Sequence, residues 1–135
     1  MVNIPDLPDE YQVSESKEDI DKLMVIYFNF INGKYLEKAL KSFAERKGYG
    51  QEIVFALFQS DLDEYDMAQL PRLLDEKHVL IELGYPAVKI EQIAFLDFKT
   101  FYDYLNINVH KEMEKKPEKT ELIDLLAEVK RSLCI

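Results

Sequence analysis

The stretch SDLDEYD, residues 60–66, sets Asp61, Asp63, Glu64 and Asp66 within six consecutive positions, with Tyr65 among them. Carboxylates this crowded could hold a cation, share acid–base work, cap a helix or meet a positively charged partner. Calcium fails on spacing. An EF-hand loop starting at Asp61 requires an oxygen ligand at its fifth position, glycine at its sixth and glutamate at its twelfth. The chain supplies Tyr65, Asp66 and Arg72 there. A looser Mg²⁺ site built from two of the acids and water, serving a metal-assisted hydrolase, stays compatible with the pattern. Catalysis by paired carboxylates needs two environments that drive their pKa values apart, whereas four acids in one exposed loop share a single environment. A helix cap at Ser60 or Asp61 would place Asp63 and Glu64 at the positive end of a turn, but it leaves Asp66 without a task.

Other chemistry is thinly represented. His78 and His110 are far apart and belong to no H-x-x-x-H or H-E-x-x-H pattern, so no zinc site is expected and each reads as a polar residue at an element edge. Cys134, the single cysteine, reads as a small residue closing the last helix. No internal disulfide is possible, and a reducing cytoplasm is the expected compartment. The glycines of GYG, residues 48–50, lack the following lysine of a phosphate loop and are read as a helix stop. No catalytic residue, metal or cofactor is expected.

The formal net charge is −9, and it is unevenly spread: residues 1–33 carry −5, 34–60 carry +2, 61–96 carry −5 and 97–135 carry −1. Such a field repels phosphate backbones and anionic lipid, which argues against direct nucleic-acid or membrane binding and favours a basic partner. An acidic surface kept only for solubility, on an adaptor or scaffold with an unrelated partner, is the competing reading. The longest purely apolar run, residues 53–58, is too short to cross a bilayer. The acidic, proline-broken start MVNIPDLPDE lacks the pattern of a secretory signal.

These residues need elements to position them. Residues 1–135 are read as one domain with an irregular acidic lead-in over 1–15. Ser16 and Asp19 form a capping box ahead of Ile20, Leu23, Met24, Tyr27, Phe30 and Ile31 at helical spacing. Asn32-Gly33 separates this helix from a second carrying Leu36, Ala39, Leu40 and Phe43, and the short link predicts a helical hairpin. Gly48 is expected to take the left-handed stop conformation after it. IVFALF, residues 53–58, reads as a central strand buried on both faces, and the acidic loop leaves it. HVLIELG and AVKIEQIAF flank a Tyr85-Pro86 turn as a β-hairpin. Asp97 caps a helix carrying Phe98, Phe101, Tyr102, Leu105 and Val109, and Pro117 opens a last helix with Leu122, Leu125, Leu126, Val129 and Leu133 inward. The aromatics of 27–43 and 98–105 are assigned to the core. The expected class is α+β, a small antiparallel sheet packed with an N-terminal helical hairpin and two C-terminal helices in the order α-α-β-β-β-α-α.

Four segments in this order carry a family resemblance: YFNFINGKYLEKALKSFAERKGYG (27–50), FQSDLDEYD (58–66), LDFKTFYDYL (96–105) and KPEKTELIDLLAEVKRSLCI (116–135). Together they resemble the ribonuclease-toxin immunity proteins of bacterial contact-dependent growth inhibition (CDI) systems. The resemblance implies a cytoplasmic, non-enzymatic inhibitor that binds the C-terminal nuclease domain of a cognate toxin and blocks RNA cleavage. An acidic surface suits that task independently, because a ribonuclease cleft must attract a polyanion. On this reading Asp61, Asp63, Glu64 and Asp66 pair with toxin lysines or arginines. Tyr65 is an amphipathic anchor, with packing beneath its own loop as the alternative, and Tyr85 is a further contact.

Overall fold

The computed structural model describes residues 11–84 and 88–135. Helix α1 spans Lys17–Ile31. Half of the expected capping box opens it: the Ser16 hydroxyl accepts the Asp19 N–H at 3.1 Å, and Leu23, Met24, Tyr27, Phe28 and Ile31 line its buried face. Gly33 takes φ +82°, and a 3₁₀ turn over Gly33–Tyr35 leads into α2, Leu36–Ala44.

The expected hairpin of these two helices is not what forms. Helix α2 packs chiefly on the last helix, α5 (Glu121–Leu133), while α1 lies against the sheet. Arg46 fastens the α2–α5 pair, donating from Nε and Nη2 to the Ser132 carbonyl at 2.9 and 2.7 Å. Its guanidinium also lies 5.2 Å over the Phe98 ring. The left-handed stop falls at Arg46 (φ 56°) and not at Gly48, and the Lys47 N–H closes the turn on the Ser42 carbonyl at 2.9 Å. Gly48 is needed for a different reason: a Cβ there would stand 2.4 Å from the Ala56 carbonyl oxygen.

Among the described residues the sheet has five strands, not three. They are β1 (Tyr11–Val13), β2 (Tyr49–Gln51), β3 (Val54–Leu57), β4 (His78–Leu83) and β5 (Glu91–Asp97), in the order β1-β5-β4-β3-β2. The pairing is antiparallel except that β1 runs parallel to β5. Part of the expected irregular lead-in is thus a strand, and GYG contributes to another. Three-residue strands are too short to show a two-residue alternation. The IVFALF strand is not central and not buried on both faces: β3 lies next to the edge strand β2, and Phe55 is 39% exposed.

One face of the sheet carries Val54, Ala56, Val79, Ile81, Leu83, Ala94 and Leu96 into a core shared with α1, α2, α5 and α4, Phe98–Lys115. Asp97 caps α4 as expected, its Oδ1 accepting the Thr100 N–H at 2.7 Å. At its start, Phe43, Phe58, Phe98 and Phe101 interlock at centroid distances of 5.1–6.3 Å. Pro117 lies in the turn before α5, not within its first turn. Cys134 does not close that helix as a packed residue; it is exposed, with φ 59°.

The second, outer face carries a smaller core of Leu57, Leu80, Ile93 and Phe95, with Tyr11 and Val13 at the β1 side. Its lid is the chain between β3 and β4, which supplies Leu62, Met67, Leu70 and Leu74. This stretch contains a short helix α3, Glu64–Ala68, and carries the acidic cluster.

Candidate functional site

Three of the four acids of the cluster, Asp61, Asp63 and Asp66, sit where backbone donors put them. A 3₁₀ turn, Gln59–Asp61, follows β3. There the Asp61 Oδ2 accepts the N–H of Phe58 at 2.7 Å and of Gly48 at 2.9 Å, tying the turn to the entry of β2. The N-cap of α3 is Asp63, not Ser60 or Asp61. Its Oδ1 accepts the Asp66 N–H at 2.7 Å, and the Asp66 Oδ2 accepts the Asp63 N–H at 3.3 Å in return. This reciprocal box explains why Asp recurs three residues apart. Glu64 rides on the first turn, where its charge suits the helix dipole.

All four acids are exposed, and none forms an ion pair among the described residues. Asp61, Asp63 and Asp66 each spend one oxygen on the backbone and leave the other open, while an ionised carboxylate accepts about four hydrogen bonds. Tyr65 is 73% exposed, so its ring does not pack beneath the loop. Tyr85 lies outside the described residues. Leu73, 75% exposed, adds a second bare apolar side chain to this lid.

The lid covers only part of the outer face. Register places Phe55 of β3 opposite Glu82 of β4, and Glu82 opposite Ile93 of β5; Tyr11 of β1 stands opposite Glu91 of β5. At this end the sheet is open, forming a groove of about 400 Å³. Tyr11, Phe55 and Leu57 floor it, and Asp61, Asp66, Glu82 and Glu91 surround it. Gly50 of β2 lies beside Phe55; a Cβ there would meet the Phe55 ring at 2.0 Å, so only glycine leaves the ring room.

Glu82 is the residue that sequence reading passed over. It is half-buried on the middle strand of the sheet, and its carboxylate has no hydrogen bond or ion pair among the described residues. Burial, and then the neighbouring charges of Glu91 and Asp66, push its carboxyl up to about 7. The available signal was a lone charge inside VLIEL, at the alternation position shared with Leu80.

The remaining sequence candidates stay apart from this face. His78 Nδ1 meets Asp75 Oδ1 at 2.8 Å at the start of β4, holding the Asp75 carboxyl below its ordinary range. His110 contacts the Asn106 carbonyl on α4. Among the described residues, no three His, Cys, Asp or Glu side chains are arranged to hold a metal ion, and no helix is long and apolar enough to cross a membrane.

The α+β frame leaves an acidic, partly uncovered sheet face beside the lid. The family model described as CDI immunity protein matches residues 20–126, and the chain belongs to that family. A search of curated proteins returns no match. The matched span runs from the first turn of α1 into α5 and contains α2, the acidic lid, β2 to β5 and α4. Its partner, as for a CDI immunity protein in general, is a cognate CDI toxin.

Proposed function

We propose that this protein neutralises the C-terminal nuclease domain of its toxin, a ribonuclease, in the cytoplasm of the toxin-producing cell. It acts by occupancy, setting an acidic surface against a basic RNA-binding cleft. The observation that carries this reading is the exposed, unpaired carboxylate set Asp61, Asp63, Glu64 and Asp66 on the lid of the outer face. Asp61, Asp63 and Asp66 are held in place by backbone N–H groups, so little ordering entropy is lost when lysines or arginines meet them. Tyr65, standing out from the same turn, supplies a stiff aromatic anchor of the type that dominates protein interfaces. Tyr85 is assigned a peripheral contact.

Opposite fields of this kind act first on encounter, raising association towards about 10⁸ M⁻¹s⁻¹ at low salt. The deciding experiment is co-expression with the C-terminal domain encoded by the adjacent upstream reading frame. Protection of growth and of cellular RNA is expected. Equal killing with and without this protein refutes the reading.

A further inference from the structure

The lid acids are one half of the outer face; the open end of the sheet is the other. An unpaired carboxylate on the middle strand is an expensive choice for a fold. Neighbours along the same sheet face are apolar: Leu80 on its own strand, and Phe55 and Ile93 directly across. A valine or isoleucine there would satisfy the strand at no electrostatic cost. Instead Glu82 is crowded by Glu91 from β5 and Asp66 from α3, which raise its proton affinity beyond the effect of burial. Among the described residues, none that lines the groove is a cation. Arg72, from the chain between β3 and β4, is stacked 4.3 Å over Phe95. A local rule broken without internal compensation is the mark of a surface completed by a partner.

We propose that the open end of the outer sheet face receives a lysine or arginine side chain of the toxin, its stem against Phe55 and Leu57 and its cationic head among Glu82, Glu91 and Asp66. The inference rests on the toxin-binding function proposed above and locates one deep contact for it. The floor suits the long aliphatic or planar part of such a side chain, which packs on apolar and aromatic surface while its charge is neutralised. The Phe55 ring occupies the space that a side chain at Gly50 would fill. Asp66 belongs both to the α3 capping box and to the groove wall, so lid and groove form one continuous acidic surface.

The test is calorimetric titration of the purified toxin domain, in a nuclease-inactive form, into the wild-type protein and the variants Glu82→Gln, Glu91→Lys and Glu114→Gln. Glu82→Gln keeps the shape and Glu91→Lys alters an exposed strand end, so near-UV circular dichroism should match wild type for both. Each is expected to weaken binding by about 30-fold or more, as loss of one partner from a desolvated charge pair does. Glu114→Gln, on the exposed side of α4, should leave affinity within twofold. If the complex forms and the two groove variants also stay within twofold, the groove assignment is wrong while the immunity function stands. If wild type itself does not bind the domain, both readings fall together.

Discussion

Glu82→Gln should make the protein more stable and less useful. The folded carboxyl titrates at about 7 against an ordinary 4.5, so the native state holds this proton more tightly than the unfolded chain does. The contribution is therefore fully present below pH 4.5 and is lost as pH rises through 7. Taken whole, the displacement corresponds to ~3 kcal/mol of penalty on the ionised form. Partial solvent contact reduces this to about 1–2 kcal/mol. Glutamine removes the charge and keeps the volume, so the variant should melt roughly 3–6 °C above wild type at pH 8 and within a degree of it at pH 4.5. Chemical denaturation at the two pH values gives the same comparison as free energies. A variant no more stable than wild type at pH 8, or one whose advantage is equal at both pH values, would show that the Glu82 charge is not penalised in the fold. Toxin binding supplies the counterpart. A cation in the groove favours ionised Glu82, so association should release a proton and tighten between pH 6 and 8. Asp66 from α3, Glu91 from β5, Asp61 from the 3₁₀ turn and Tyr11 from β1 also face the groove, and the proton count in buffers of different ionisation enthalpy should fall with Glu82→Gln.

Asp61→Ala removes the acceptor shared by the Phe58 and Gly48 N–H groups and should cost about 1–3 kcal/mol in urea unfolding, whereas Glu64→Ala should change stability by less than ~0.5 kcal/mol. Tyr65→Ala, at a side chain left bare by the fold, should leave the melting temperature unchanged and weaken toxin binding by about 2 kcal/mol in calorimetry. Gly48→Ala forces a contact against the Ala56 carbonyl and should destabilise by ~1–3 kcal/mol, read from thermal melts. Stopped-flow association should slow steeply from 50 to 300 mM salt while dissociation changes little, since screening acts on the encounter beyond about 8 Å.

The helices were legible because their signals are local. Ser16 and Asp97 cap where sequence places them, and the stripes of α1, α2, α4 and α5 face inward as their spacing requires. Each of these depends on residues within one or two turns. Strands β1 and β2 were hidden because three residues show no period and their partners lie far along the chain, as Tyr11 opposite Glu91 illustrates. The Arg46 stop was hidden for the same reason: a non-glycine residue accepts a left-handed φ here while its side chain is fastened to Ser132 and Phe98.

Charge count and residue spacing alone determine that this is an acidic α+β protein with its carboxylates crowded at 61–66, because composition and local periodicity do not depend on how the chain returns on itself. Which of those carboxylates merely hold the backbone, and that Glu82 joins them from a strand sixteen residues further on, are decided only by the tertiary structure. Cross-strand register and the placing of the lid bring like charges together, and those long-range pairings leave no mark in any short window of sequence.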